Sequence, residues 1–347
     1  MLKLKNKIKV LLVSDFTNFA LTDVYHGYMY ALKKLGVQFE TLPFHNFVEI
    51  VSPKICYHVA HSLALIKEKE FTHIFFIGGL NIPDYMLESY YHVKTVVVGT
   101  EDPHSFDPMK YKLDKIDYYF SNEKSIGTSK KYKNVYYCPT AASEEECGKI
   151  PRERINSRYH SDILFIGAVY PNRQKMMEGL IPVVQKHNLK FNISGHVNYM
   201  SKKTPLWDYV DVNGTVNHED TVKYYNGAKI VLNFFRDIKW NPRTKSGSNP
   251  NNKSRYPALS LNPRAYEAPL CQSFMLMEDT REEAREIFTE DEVGFFSSPE
   301  ELSYQAEKYI KDDKLRDSMA FNAYKKVALN HTYTHRLQHI LNVLKAY

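Results

Sequence analysis

Two successive series of short apolar runs, each run followed by an amphipathic stretch, limit what this chain can fold into. In the first series Lys9–Ser14 is a continuous Val/Leu run, and residues 23–35 then place Val24, Met29, Leu32 and Leu35 at helical spacing before Gly36. That pattern predicts a buried strand, a helix and a glycine C-cap. Further strands are expected at 37–42, at 72–77 ending in Gly78-Gly79, at 94–99, at Tyr118–Ser121 and at 135–138. A polar, charged segment, 139–161, interrupts the alternation and reads as a linker. The second series has strands expected at 162–167, 190–194, 229–233 and 273–277, with helices at 173–187, His218–Gly227 and 263–271. Two or three C-terminal helices follow, one opened by Ser298-Pro299-Glu300-Glu301, where Ser298 is the N-cap and Glu301 closes a capping box. Strands alternating with helices predict an α/β chain with parallel sheets covered on both faces. A length of 347 residues accommodates two such Rossmann-like domains.

Other classes are excluded on composition. Hydrophobic residues make up 43% and charged residues 25%, ordinary for a folded chain and unlike a disordered or fibrous one. The basic N-terminus is followed by an apolar run too short for a signal peptide, and no stretch approaches the ~20 apolar residues of a membrane span. The cysteines, Cys56, Cys138, Cys147 and Cys271, show no metal-type spacing, so free, mostly buried thiols in a cytoplasmic protein are expected. A net charge of +6 suits an anionic ligand such as a nucleotide diphosphate and is compatible with nucleic acid, without requiring either.

The strongest local signal is Ser260-Leu261-Asn262-Pro263-Arg264-Ala265-Tyr266-Glu267-Ala268. Asn262 is a favoured N-cap and Pro263 a favoured first helical residue, so a helix and its anion-attracting N-terminus are expected here. Arg264 in that first turn can hold a diphosphate bidentately, and Glu267, three residues on, can accept from two ribose hydroxyls. The competing reading is a capped helix with a surface Arg–Glu pair. A second signal is 162–173, a strand ending in Gly167, where backbone can approach a ligand closely, followed by Arg173 at the next helix.

In the first half, Thr100-Glu101-Asp102-Pro103-His104 follows a strand end, and Asp15 follows the first strand. Asp102, His104 and Asp15 are candidates for positioning an acceptor hydroxyl or acting as general base, with turn or cap roles as the alternative. Residues 239–257 are rich in Asn, Pro, Ser and basic residues, and long for a connection inside a compact domain. Lys239, Arg243, Lys245, Lys253 and Arg255 there could line an acceptor or form a phosphate-binding strip for DNA, or belong to a plain solvated insertion. Phosphate-loop, HExxH and GxSxG motifs are absent from the sequence; His331 and His335 are four apart on an expected helix but lack a partner carboxylate motif and read as structural or cleft residues.

Taken together, 260–272, Ser298-Pro299-Glu300-Glu301-Leu302 and His331-Thr332-Tyr333-Thr334-His335-Arg336-Leu337 resemble the CgeB-like (spore maturation) glycosyltransferases, a family of bacteria and their phages. Residues 162–173 and 215–233 match its earlier segments, and Glu101-Asp102-Pro103 and 117–122 resemble its N-terminal domain more loosely. The resemblance implies a GT-B fold with domains at 1–155 and 156–330 and a final helix, 331–347, returning to the first domain. It implies nucleotide-sugar binding by the second domain, a cleft between the two, and a uridine diphosphate sugar as donor. Glu267 would take the ribose, Arg173 and Arg264 the diphosphate, and Gly167 the close backbone approach, with Asn262 at the helix start. No metal or other cofactor is implied.

The chain departs from the family pattern in three places. Pro269 and Gln272 replace a small residue and a glycine after the glutamate, and Leu259 stands where related retaining transferases carry a second glutamate. Proline should kink or shorten the helix. The expected function is glycosyl transfer to an acceptor that is a modified DNA base, a surface glycan, a protein or a small molecule. The alternatives are an inactive nucleotide-sugar-binding protein and a sugar-nucleotide epimerase on the same fold.

Overall fold

The computed structural model describes residues 8–14, 19–42, 62, 70–80, 82–88, 92–211, 217–239 and 249–345. Asp15, Cys56, Arg243 and Lys245 lie outside them. The strands are β1 (Lys9–Ser14), β2 (Gln38–Leu42), β3 (His73–Ile77), β4 (Lys94–Val98), β5 (Tyr118–Ser121), β6 (Val135–Tyr137), β7 (Ser161–Ile166), β8 (Phe191–Ser194), β9 (Ala228–Asn233), β10 (Met275–Glu278) and β11 (Gly294–Phe296). The helices used below are α1 (Phe19–Lys34), α2 (Pro171–Glu178), α3 (His218–Gly227), α4 (Arg264–Leu270), α5 (Pro299–Ile310), α6 (Asp313–Asn330) and α7 (Tyr333–Lys345).

The chain forms two compact units. The first comprises Met1–Ser143, Asn249–Leu259 and Tyr333–Tyr347; the second comprises Glu144–Ser248 and Ser260–Thr332. The division falls earlier than the expected 155 because the segment after Ser143 is fixed within the second unit. There Asn226 of α3 accepts from Ile150 N at 2.8 Å and donates to Gly148 O at 2.9 Å. The expected border at 330 moves to Thr332.

In the first unit six parallel strands run in the order β2-β1-β3-β4-β5-β6. Side chains alternate across this sheet, as the pleat requires. Leu11, Val13, Ile74 and Phe76 pack on one face, and Val10, Leu12, Phe75 and Ile77 on the other. The second face is closed by α1 and by α7, which returns Tyr333, Leu337, Ile340, Leu341 and Leu344 to it at helical spacing. Burying each of the four aliphatic side chains among these contributes roughly 1.5–3 kcal/mol. Arg336 ties the returning helix to the end of β6, donating from Nε to Pro139 O at 2.9 Å and from Nη2 to Thr140 O at 3.0 Å.

In the second unit five parallel strands run β11-β10-β9-β7-β8. Strand order reverses at β7, which has β8 on one side and β9 on the other. In open parallel sheets the crevice at the carboxyl ends of the two strands flanking such a reversal is where ligands bind. The expected helix 173–187 is broken into α2 and Ile181–Lys186. Pro182 has no N–H for Glu178 O, so the ladder cannot continue past Gly179. Ser298 caps α5, accepting from Glu301 N at 3.1 Å. The strand expected at 273–277 lies two residues later at its start, at Met275–Glu278.

Candidate functional site

At the carboxyl end of β7 the chain turns at Gly167 with φ +137°, a conformation that favours glycine. The adjacent turn after β8 is built alike: Gly195 has φ +110°, and a Cβ there would sit 2.7 Å from Gly167 O. Gly167 N donates to Ser194 O at 2.9 Å and Val169 N to His196 O at 2.8 Å, so the two turns run side by side.

Arg264 and Arg173 converge on Gly167. A Cβ at 167 would lie 2.6 Å from Arg264 Nη2 and 3.8 Å from Arg173 Nη1. Arg264 donates from Nη2 to Ile166 O and from Nη1 to Asn233 Oδ1 at 3.2 Å. Its guanidinium lies 5.1 Å from the Phe165 ring centroid. Arg173, on the first turn of α2, is buried and donates from Nη1 to Ala168 O at 2.9 Å and from Nε to Phe235 O at 3.4 Å. It packs 5.0 Å from the Tyr170 ring, and Arg236 packs 5.5 Å from the same ring. Burial and then the neighbouring Arg264 pull the Arg173 guanidinium down to about 9, against the opposing effect of Tyr170 and Glu278, so it is charged at neutral pH. Among the described residues, neither Arg173 nor Arg264 makes an ion pair. A buried arginine, Arg173, and a half-buried one, Arg264, thus stand together at the strand-order reversal, held by neutral oxygens.

The Arg264–Glu267 segment is therefore not a surface ion pair, since Arg264 turns to β7 and β9. Asn262 also faces inward, donating from Nδ2 to Asn233 Oδ1 at 2.9 Å and to Phe234 O at 3.2 Å. The regular helix begins at Arg264, with Pro263 already helical at φ −54°. Asn262 still satisfies the free end of α4, its Oδ1 accepting from Ala265 N at 3.3 Å. Glu267, one turn on and half-buried, accepts from Tyr225 OH at 3.2 Å. α4 runs through Pro269 and ends at Leu270, with Cys271 N still donating to Glu267 O at 3.1 Å, and Ser273 N and Gln272 N close it on Ala268 O at 3.0 Å and Pro269 O at 2.8 Å. Gln272, where the family has glycine, takes φ +53°.

Within the first unit, Asp102 is buried on the loop after β4. One oxygen accepts from Tyr119 OH and Ser121 Oγ, both at 2.7 Å. Burial raises its pKa to about 6 against the lowering effect of those bonds. His104 lies two residues on, its backbone O accepting from Asn249 Nδ2 at 2.9 Å. Of the basic loop, Lys239 is exposed in the second unit, whereas Lys253 and Arg255 are exposed in the first. Their segment is held firmly there. Ser254 N donates to Asp107 at 2.9 Å, Leu259 N to Glu123 at 3.0 Å, and Tyr256 packs edge-on to Phe106 at 5.2 Å. Residues 249–259 are therefore part of the first unit's fold and not a solvated insertion.

Sequence reasoning did not find Asn233, Tyr170 or Arg236, because each enters the cluster from a strand end or turn through contacts that periodicity does not encode. Among the described residues no group of His, Cys, Asp and Glu is arranged to hold a metal ion. No described helix is long and apolar enough to cross a membrane. Cys138, Cys147 and Cys271 are free and buried.

Two parallel α/β units and a terminal helix returning to the first of them define a GT-B architecture. Residues 173–342 match the family model described as glycosyl transferase-like. The spore protein CgeB of Bacillus subtilis (strain 168) is 31% identical over 150 residues, which cover 42% of this chain and 42% of that protein. The match thus spans less than half the length of this relative. Among solved structures, a glycosyltransferase from Rickettsia africae superposes with TM-score 0.64 at 13% identity, covering 98% of each chain. Anabaena HepE, crystallised with UDP and glucose, superposes with TM-score 0.59 at 11% identity, covering 98% of this chain and 100% of its own. At such identities the superpositions establish the GT-B fold. The chain thus has a GT-B fold, is glycosyl transferase-like over residues 173–342, and is CgeB-like in part of its sequence.

Proposed function

We propose that the chain transfers a glycosyl group from a uridine diphosphate sugar to an acceptor nucleophile. The observation that carries this reading is the pair of arginines beside Gly167, Arg173 buried and Arg264 half-buried, both hydrogen-bonded to neutral oxygens and neither in a direct ion pair among the described residues. The family match over 173–342 and the sugar nucleotide named for Anabaena HepE support it. In transfer, the bond between the sugar anomeric carbon and the diphosphate oxygen breaks, and a bond to the acceptor oxygen forms. The acceptor proton passes to a base, and the departing diphosphate gains negative charge. Cations already fixed in a desolvated site favour that charge without reorganising. Arg264 and Arg173 take this role, Glu267 accepts from the ribose hydroxyls, and Asn262 orders the turn carrying Arg264.

Asp102 in this reading anchors the loop after β4, since its buried oxygen is occupied by two hydroxyl donors, and His104 on that loop is the base. The acceptor class follows from the exposed basic residues only if they bind phosphate. Lys253 and Arg255 then contribute salt-dependent affinity for DNA.

The test is calorimetry with UDP and UDP-sugars, followed by donor hydrolysis without acceptor. Binding with slow release of free sugar supports transfer. Binding with no turnover under any acceptor indicates an inert binding protein, and an altered sugar still attached to UDP indicates an epimerase. Failure to bind any nucleoside diphosphate removes the donor site altogether.

A further inference from the structure

Arg173 and Arg264 lack the direct carboxylate partner that Arg285 and Arg316 have in the same unit. Arg285 pairs with Asp279 at 2.9 Å, and Arg316 pairs with Asp313. Arg173 and Arg264 are held instead by neutral oxygens: the backbone carbonyls of Ala168, Phe235 and Ile166, and the side-chain amide of Asn233. Asn233 is the one side chain in that set. It ends β9, is fully buried, and its Oδ1 accepts from both Arg264 Nη1 at 3.2 Å and Asn262 Nδ2 at 2.9 Å. Arg264 can only donate, so the oxygen end of the amide must face it. The other end, Nδ2, is buried and has no partner among the described residues.

We infer that Asn233 is a positioning residue whose neutrality matters: it holds Arg264 in place without cancelling the charge that the ligand's diphosphate must meet. A carboxylate would grip the guanidinium more tightly and give a better-satisfied apo protein, but it would leave the site one positive charge poorer. Asparagine keeps the acceptor geometry and leaves the cation unneutralised. This rests on the donor reading given above, and it extends that reading to a residue that touches the arginine and not the ligand.

The test uses Asn233→Asp, which is isosteric. It keeps both acceptor bonds and replaces an amide nitrogen that has no partner. The expected melting temperature is equal to or above that of the wild type, because the new carboxylate faces the half-buried guanidinium of Arg264. UDP affinity is expected to fall about tenfold or more, UMP affinity less, and uridine affinity to stay unchanged, since the loss follows ligand charge. Asn233→Ser, which loosens the arginine without adding charge, should lose less UDP affinity than the aspartate variant and show no such grading. A purely structural role for Asn233 predicts the reverse order, with serine worse than aspartate. Equal UDP affinity in wild type and Asn233→Asp, equal losses for all three ligands, or an aspartate variant that melts well below wild type each overturn the assignment of Asn233 alone. If the wild-type protein binds neither UDP nor inorganic pyrophosphate, the donor reading fails and this assignment with it.

Discussion

Replacing Gly167 with alanine tests how the backbone of the β7 turn and the position of Arg264 depend on each other. Two costs can be separated. The first is conformational: φ +137° is a region that L side chains rarely adopt, and holding one there costs roughly 1–3 kcal/mol. The second is steric. The new methyl would lie 2.6 Å from Arg264 Nη2, the atom that donates to Ile166 O. The guanidinium is the far end of a flexible side chain, so it moves instead of clashing, and the cost is its hydrogen bond, roughly 1.5–3 kcal/mol for a charged donor. In a double-mutant cycle, Gly167→Ala should therefore destabilise the wild-type background by about 3 kcal/mol and the Arg264→Ala background by about 1.5 kcal/mol less. Urea unfolding followed by circular dichroism gives both values. UDP affinity measured by calorimetry should fall about tenfold in Gly167→Ala alone, and should change little when Arg264 is already absent. Equal destabilisation by Gly167→Ala in the two backgrounds would refute the steric argument and leave backbone strain as the whole effect.

Gln272→Gly should stabilise the protein. Relief of the left-handed backbone at φ +53°, partly offset by the greater entropy of an unfolded glycine, leaves about 0.5–1 kcal/mol, read as a higher melting temperature. A lower melting temperature would show that the glutamine side chain contributes more than its backbone costs. Glu267→Ala should weaken UDP binding by roughly 1–3 kcal/mol while leaving pyrophosphate binding unchanged, and equal losses for both ligands would remove its ribose role. Asp102 gives a pH signature. Its folded pKa of about 6 lies above the ordinary carboxyl value, so the folded state binds the extra proton, and stability should fall as pH rises from about 4 to about 6. The contribution is up to roughly 3 kcal/mol, and Asp102→Asn should flatten the curve over that interval. An unchanged slope in the variant assigns the dependence to other groups.

The positions where expectation and structure part company have local physical causes. The strand runs at Lys9–Ser14 and Tyr118–Ser121 were legible because a strand buried on both faces is a continuous apolar run. The shift of the unit border from 155 to 143 was not legible. A polar segment looks the same whether it is a free linker or is pinned by Asn226, whose partners lie 76 and 78 residues away. For the same reason a run of Asn, Ser and Lys did not reveal that 249–259 belongs to the first unit, where Asp107, Glu123 and Phe106 hold it.

By itself the sequence determined the parallel α/β class, the Gly167 turn, and the presence of Arg173, Arg264 and Glu267 beside strand ends and helix starts. These follow from short-range rules of period, capping and backbone freedom, which act between residues a few positions apart. Only the tertiary structure decided that Arg264 turns away from Glu267 to Ile166 and Asn233, and that the buried Arg173 stands beside it, hydrogen-bonded to backbone carbonyls. Whether a charge is solvated, paired or left for a ligand depends on which atoms distant in sequence surround it and on how much water they exclude. The order of the strands sets those neighbours.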